Sequence, residues 1–318
     1  MNSNPFTFFS KDWKDANSSY LLLILLFLCL AIASILTSFG MLLAHEIWGF
    51  SIKELPELSS RLEEHSVLRC MQMLQLFSSI GLFLLPPIAF IVITRIRYFN
   101  VSKLPTLLVS IIGVLLMWSF LPLINFSAEL NASIQLPSYF DSLMQWIHEK
   151  EDAANIVATG FLKMDGFIDL GLSLLIIAII PAIGEELLFR GTIQPVLQKV
   201  FKNPHWAIWV SAFIFSFIHF QFLGFLPRFL IGGFLGYLFY WSGSIWLAVL
   251  VHFVNNATAV VVYYLYQHNF IQQTTDDLGT GEYTLIELIV SIILIVFGLK
   301  YIYSKTIIKS SFPSKTTV

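Results

Sequence analysis

The stretch GFIDLGLSLLIIAIIPAIGEELLFR, residues 166–190, is apolar for most of its length and ends on two adjacent glutamates and an arginine, Glu185, Glu186 and Arg190. An apolar segment of this length reads as a membrane-spanning helix. Ionisable groups in such a segment cost about 2.5 to 3.5 kcal/mol each at a helix centre, so they are kept to pair, conduct or catalyse. Two apolar runs downstream carry His219 and His252, which places the functional region between Glu185 and Asn256.

The rest of the 318-residue chain has the same character, with 57% hydrophobic and 12% charged residues and a mean hydropathy of +0.77. A soluble globule of this composition would need an implausibly apolar surface. The expected fold class is all-α, a polytopic transmembrane helical bundle, and nothing in the charge pattern points to nucleic acid. Runs able, or nearly able, to cross the hydrocarbon fall around 19–43, 75–94, 104–124, 166–188, 205–223, 228–241, 245–267 and 284–304, about eight spans. The sixth is the weakest: it is short, and Gly232, Gly233 and Gly236 suit a tilted or partly re-entrant helix packed closely on its neighbours. Lys11 and Lys14 precede the first run as in a signal peptide, but 19–43 is too long for an h-region and reads as an uncleaved span. Cys29 and Cys70 lack CxxC spacing and give no basis for a structural disulfide or a thiolate metal site. With no internal repeat or low-complexity tract, residues 1–318 read as a single membrane domain.

Lysine and arginine are segregated along the chain. Arg95, Arg97 and Lys103, then Arg190, Lys199 and Lys202, then Lys300, Lys305, Lys309 and Lys315 fall on one side of an eight-span bundle. The acid-rich segments 46–64, 129–165 and 276–282 fall on the other, together with Lys53, Arg61, Arg69, Lys150 and Lys163. Because cytoplasmic loops are enriched in lysine and arginine, both termini are expected in the cytoplasm, with Glu185 and Glu186 near the cytoplasmic end of span four. Residues 51–72 and 137–152 are amphipathic and are expected at the membrane interface.

Positions four apart share a helical face, so Glu186 and Arg190 can pair while Glu185 points about 100° away. Taken alone, these three residues describe a charge cluster at a helix end, with a loop beginning at Gly191. His219, late in an aromatic-rich helix, is explained by a bond to a backbone carbonyl, and His252 with Asn256 by interhelical polar contact. Together they form the set that amide hydrolysis requires: a carboxylate to take a proton from water, an imidazole to hold that water or a metal, and a histidine with an asparagine to donate to an oxyanion. Two histidines and a glutamate are also the ligand set of a catalytic zinc with an open fourth position. His45-Glu46 and His148-Glu149 lack a second histidine in zincin register, and no Gly-x-Ser-Gly or Gly-x-Gly-Asp occurs.

Glu-Glu-x-x-x-Arg at 185–190, Phe-x-x-x-His at 215–219 and His-x-x-x-Asn at 252–256 resemble the three motifs of the CPBP family, the CAAX proteases and bacteriocin-processing enzymes also called Abi. The resemblance covers residues 166–266, a CAAX-protease-like catalytic core; the spans in 19–124 carry no matched motif. It implies an intramembrane endopeptidase with a conical cavity open to the cytoplasm and bilayer, acting on membrane-associated peptides or proteins. Glu185 would activate water with help from His219, His252 and Asn256 would hold the oxyanion, and Glu186 and Arg190 would support the first motif. Asn255 lies on another helical face and is left out. The resemblance leaves open whether Glu185, His219 and His252 bind zinc, as in a metalloprotease, or activate water without metal, as in a glutamate-type protease. The expected location is the bacterial inner (plasma) membrane. A proton-coupled transporter is the rival from another class, although the paired broken helices and repeat symmetry of transporters are missing. A non-catalytic immunity or scaffold protein on the same fold is the third reading.

The charge distribution predicts that a tag within 276–282 reacts with membrane-impermeant reagents added to intact cells. Protection of the tag from outside would overturn this orientation.

Overall fold

The computed structural model describes residues 16–306 apart from 52, 135–136 and 275–277; Lys11, Lys14, Asp276, Lys309 and Lys315 lie outside them. Among the described residues every regular element is helical. In chain order the principal helices are α1 (Ser18–Trp48), α2 (His65–Thr94), α3 (Leu107–Ala132), α4 (Asp141–Leu162), α5 (Phe167–Phe201), α6 (Pro204–Phe217), α7 (Phe222–Ser242), α8 (Ile245–Gln267) and α9 (Thr284–Lys305). All but α4 and α6 are long and apolar enough to cross a membrane, seven in number.

The short apolar helix is therefore the fifth of the eight runs rather than the glycine-rich sixth. Helix α6 begins where the Asn203 side chain accepts from the His205 backbone N–H at 2.8 Å and Pro204 pre-sets the first turn. It has 14 residues, about 21 Å at 1.5 Å per residue, and stops before Phe220, whose φ of 53° is left-handed. Helix α7 has 21 residues and a well-held start, with Asn131 at the end of α3 donating to the Phe222 and Leu223 carbonyls at 2.7 and 2.9 Å.

Helix direction alternates through α6, so the basic segments gather at one end. There Ser244 donates to the Lys103 carbonyl at 2.5 Å, Lys199 lies 5.1 Å from the Tyr98 ring centre, and Tyr303 meets Trp241 at 5.5 Å. Leu21 and Leu25 share a core with Val196, which brings the start of α1 to the same end. The opposite end is tied by the Arg69–Asp169 and Lys163–Glu63 ion pairs. Residues 18 and 305 thus lie together at the basic end.

Span four differs most from expectation. It continues past Leu188 to Phe201 as one 35-residue helix, so Gly191 lies inside the helix and Glu185 and Glu186 sit near its middle. Wide i to i+5 turns occur at Leu174–Ile179 and Phe189–Ile193 in α5 and at Ile80–Leu84 in α2. Each precedes a proline (Pro181, Pro195, and Pro86 with Pro87), where the missing N–H and the ring break the regular ladder. The α2 turn packs against α5 at Gly184, where an added Cβ would stand 3.0 Å from Phe83 Cβ and 3.2 Å from the Leu84 backbone nitrogen.

Gly184→Val is expected to lower stability in detergent by about 1 to 3 kcal/mol through overpacking against backbone. Gly171→Ala, at a position with nothing within 4 Å, serves as the near-neutral control. Equal unfolding midpoints for the two variants would contradict this packing.

Candidate active site

Arg190 and Glu186, one turn apart on α5, are 1% and 0% exposed. Arg190 Nη1 stands 3.1 Å from Glu186 Oε1, poorly angled and so an ion pair rather than a hydrogen bond, while Nη2 donates to the Gly232 carbonyl at 2.9 Å. Four residues on, Gln194 repeats the contact with Gly236 at 3.2 Å. The glycines of α7 admit these contacts because they carry no side chain: a Cβ on Gly236 would meet Gln194 Oε1 at 3.0 Å. The glycine-rich span is the closely packed one, and α5 is latched onto it through carbonyls.

Glu186 also accepts from His252 on α8, with Nδ1 to Oε1 at 2.8 Å. That bond directs the other ring nitrogen, Nε2, to 3.8 Å from Glu185 Oε2. The two glutamates therefore act on one histidine from its two ends, and the chain Arg190–Glu186–His252 fixes the ring that faces Glu185. Both His252 and Glu185 are buried, at 4% and 6% exposure.

His219 lies beyond the end of α6, in the turn leading to α7. Its Nδ1 is 2.7 Å from the Phe215 carbonyl. A carbonyl only accepts, so Nδ1 carries a proton, and in the neutral ring Nε2 keeps its lone pair. The carbonyl bond of the plainer sequence reading is present, and it leaves the other nitrogen available for chemistry. Phe215, the aromatic of the same motif, joins the parts: its ring meets His219 at 5.2 Å and His252 at 6.1 Å, and the Arg190 guanidinium lies 5.1 Å from its centre.

Pro181 has no N–H to give the Ile177 carbonyl four residues back. Asn256 takes that place, donating from Nδ2 at 3.0 Å, and the amide retains a second N–H. Asn255 donates to Asn256 Oδ1 at 2.9 Å and completes its orientation. The sequence reading set Asn255 aside as facing elsewhere; a side-chain amide is long enough to reach its neighbour around the helix.

Glu185, His219, His252 and Asn256 line one cavity of about 600 Å³, joined by Asn255 and by Arg228, which the sequence reading missed. An arginine at the head of the apolar segment that includes Ile231 and Leu235 was the available signal. Glu186 and Arg190 do not line the cavity and stand behind it. From these residues the cavity extends past Pro181, Ile177 and Val260 to Ala154 and Phe161 of α4, toward the acid-rich end. The amphipathic segment expected at the interface thus continues to Leu162 and forms a cavity wall. Among the described residues, no three histidine, cysteine, aspartate or glutamate side chains converge closely enough to hold a metal ion.

The family model described as type II CAAX prenyl endopeptidase Rce1-like matches residues 168–258, a stretch that contains all seven motif residues. The resemblance to the CPBP family is borne out over that core, and the matched family is one of proteases. An uncharacterized protein of Bacillus subtilis (strain 168), YpbD, is 27% identical over 88 residues, which are 26% of this chain and 42% of the relative. The chain thus spans about two-fifths of the length of that curated relative. No solved structure matches it.

Arg190→Met leaves Glu186 buried without its cation and is expected to cost about 3 to 5 kcal/mol in unfolding measured in mixed micelles. Glu186→Gln combined with Arg190→Met should recover much of that loss. A neutral single variant would mean that the pair does not hold the helices.

Proposed function

We propose that this chain is an intramembrane endopeptidase that hydrolyses peptide bonds of membrane-associated peptides or proteins with water activated by Glu185. The observation that carries the reading is the convergence of Glu185, His219, His252 and Asn256 on one cavity, with a separate buried ion pair behind them. A carboxylate without a dedicated cation can take a proton, whereas Glu186 is committed to Arg190 and His252.

In the proposed reaction, a water bonded to Glu185 and to His219 Nε2 attacks the scissile carbonyl carbon while Glu185 accepts its proton. The carbonyl electron pair moves to oxygen, where the second Asn256 N–H and, in the protonated ring, His252 Nε2–H donate to the oxyanion. Collapse of the tetrahedral species expels the amine, which takes the proton from Glu185. His252 can perform its part because Glu186 accepts from Nδ1 and holds the ring in place. The metal-free, glutamate-type form is favoured by the lack of three converging ligands among the described residues. Zinc on Glu185, His219 and His252 is the alternative that metal analysis tests.

The proposed setting is the inner (plasma) membrane with the basic end and both termini in the cytoplasm. In that orientation the cavity lies toward the outer half of the bilayer, opposite to the cytoplasmic opening implied by the resemblance. Substrate would then reach Glu185 from the acid-rich side, beneath α4.

Glu185→Gln, His219→Ala and His252→Ala, assayed singly against a proteome-derived peptide library, should each reduce cleavage by about 100-fold or more. Cleavage unchanged in all three would remove this site, and absence of wild-type cleavage with altered proton flux would favour transport. Wild-type activity should survive chelation and purify without stoichiometric zinc; loss of activity on chelation, restored by zinc, would overturn the glutamate-type form.

A further inference from the structure

Arg228 is a cation that the proposed reaction does not use. It lies nearly two turns into α7 and lines the same cavity as Glu185 and His219. Its guanidinium rests flat on Gly224, where an added Cβ would meet Nη2 at 2.8 Å and Cζ at 3.0 Å. Nη1 donates to Gln221 Oε1 at 3.1 Å and Nη2 to the Gln221 carbonyl, while Nε is buried with no partner among the described residues. None of the ion pairs formed among the described residues includes Arg228. Glu185 and Glu151 act on it only through space.

Such a charge is costly in a cavity at membrane depth, and an arginine does not relieve the cost by losing its proton. Arg190 solves the same problem with Glu186, and Arg69 with Asp169. Arg228 has two bonds to neutral oxygens and donors to spare in a planar fork, the geometry that receives a carboxylate in two parallel bonds. Glu185 cannot serve as that partner throughout, because it loses its negative charge whenever it takes the proton from water.

We propose that Arg228 binds a carboxylate of the substrate, either the C-terminal carboxylate of the peptide or an aspartate or glutamate side chain near the cleaved bond. The anchored carboxylate then sets which peptide bond lies against Glu185. This inference rests on the protease reading. A competing role is structural: through Gln221, Arg228 also steadies the turn that carries His219, and loss of that support would weaken every substrate alike.

The test uses the full chain purified into lipid nanodiscs and three apolar hexapeptides labelled at the N-terminus with the uncharged dansyl fluorophore. One has a free C-terminal carboxylate, the second is its C-terminal amide, and the third is the amide with one internal aspartate. Wild-type protein is expected to bind one of the two carboxylate peptides about ten-fold or more tighter than the neutral amide, and which one it prefers identifies the source of the carboxylate. Arg228→Gln should remove that preference, and Arg228→Lys should keep part of it. Equal affinity of wild type for all three peptides, absence of binding, or a preference that survives in Arg228→Gln overturns the proposal. The wild-type comparison needs no variant to fold. Cleavage of the same peptides is followed in parallel, so a binding preference without hydrolysis counts against the protease reading and not against carboxylate recognition by Arg228.

Discussion

The structure is organised around one buried electrostatic chain, Arg190–Glu186–His252, in surroundings where an unpaired buried charge is costly. Glu186 receives a guanidinium from its own helix and an imidazole from α8, and Arg190 extends the chain to a carbonyl of α7. Three helices are thereby fixed to one another by a single carboxylate. A lysine in place of Arg190 would supply the charge but not a second, separately directed nitrogen for the Gly232 carbonyl. The same chain sets the direction of His252, so the interaction that holds the bundle also aims the ring at Glu185.

Backbone irregularity performs a second task. In a bilayer, carbonyls freed by proline must find partners inside the protein, and the partners here are parts of the site. Pro181 releases the Ile177 carbonyl, and Asn256 answers it; Phe215 lends its carbonyl to His219 as α6 comes to an end. These bonds direct side chains that sequence alone would permit to rotate. The local faults of the helices and the alignment of the polar groups have a common origin.

Length mismatch shapes the cavity. Helix α5, with 35 residues, is longer than a membrane needs, whereas α6, with 14, is too short to cross it. The turn after α6 brings His219 and Arg228 to the cavity, and α4 closes the cavity from the acid-rich end. The positions of Glu185 and His219 thus depend on helices that depart in opposite directions from an ordinary span.

Much of this protein was legible in its sequence. Run length and charge segregation determined a helical membrane bundle with its basic segments at one end, because a bilayer imposes both properties on the chain one segment at a time. Helical periodicity also predicted that Glu186 pairs with Arg190, a contact within one turn. Tertiary structure alone decided that Glu186 holds His252, that Asn255 orients Asn256, that α5 runs on to Phe201, that the weak span is α6, and that Arg228 shares the cavity. Each of these depends on which helices pack together and on where a proline-freed carbonyl finds its donor. Sequence spacing fixes which residues share a helical face, but the partner of a buried polar group is chosen by packing between segments that lie far apart in the chain.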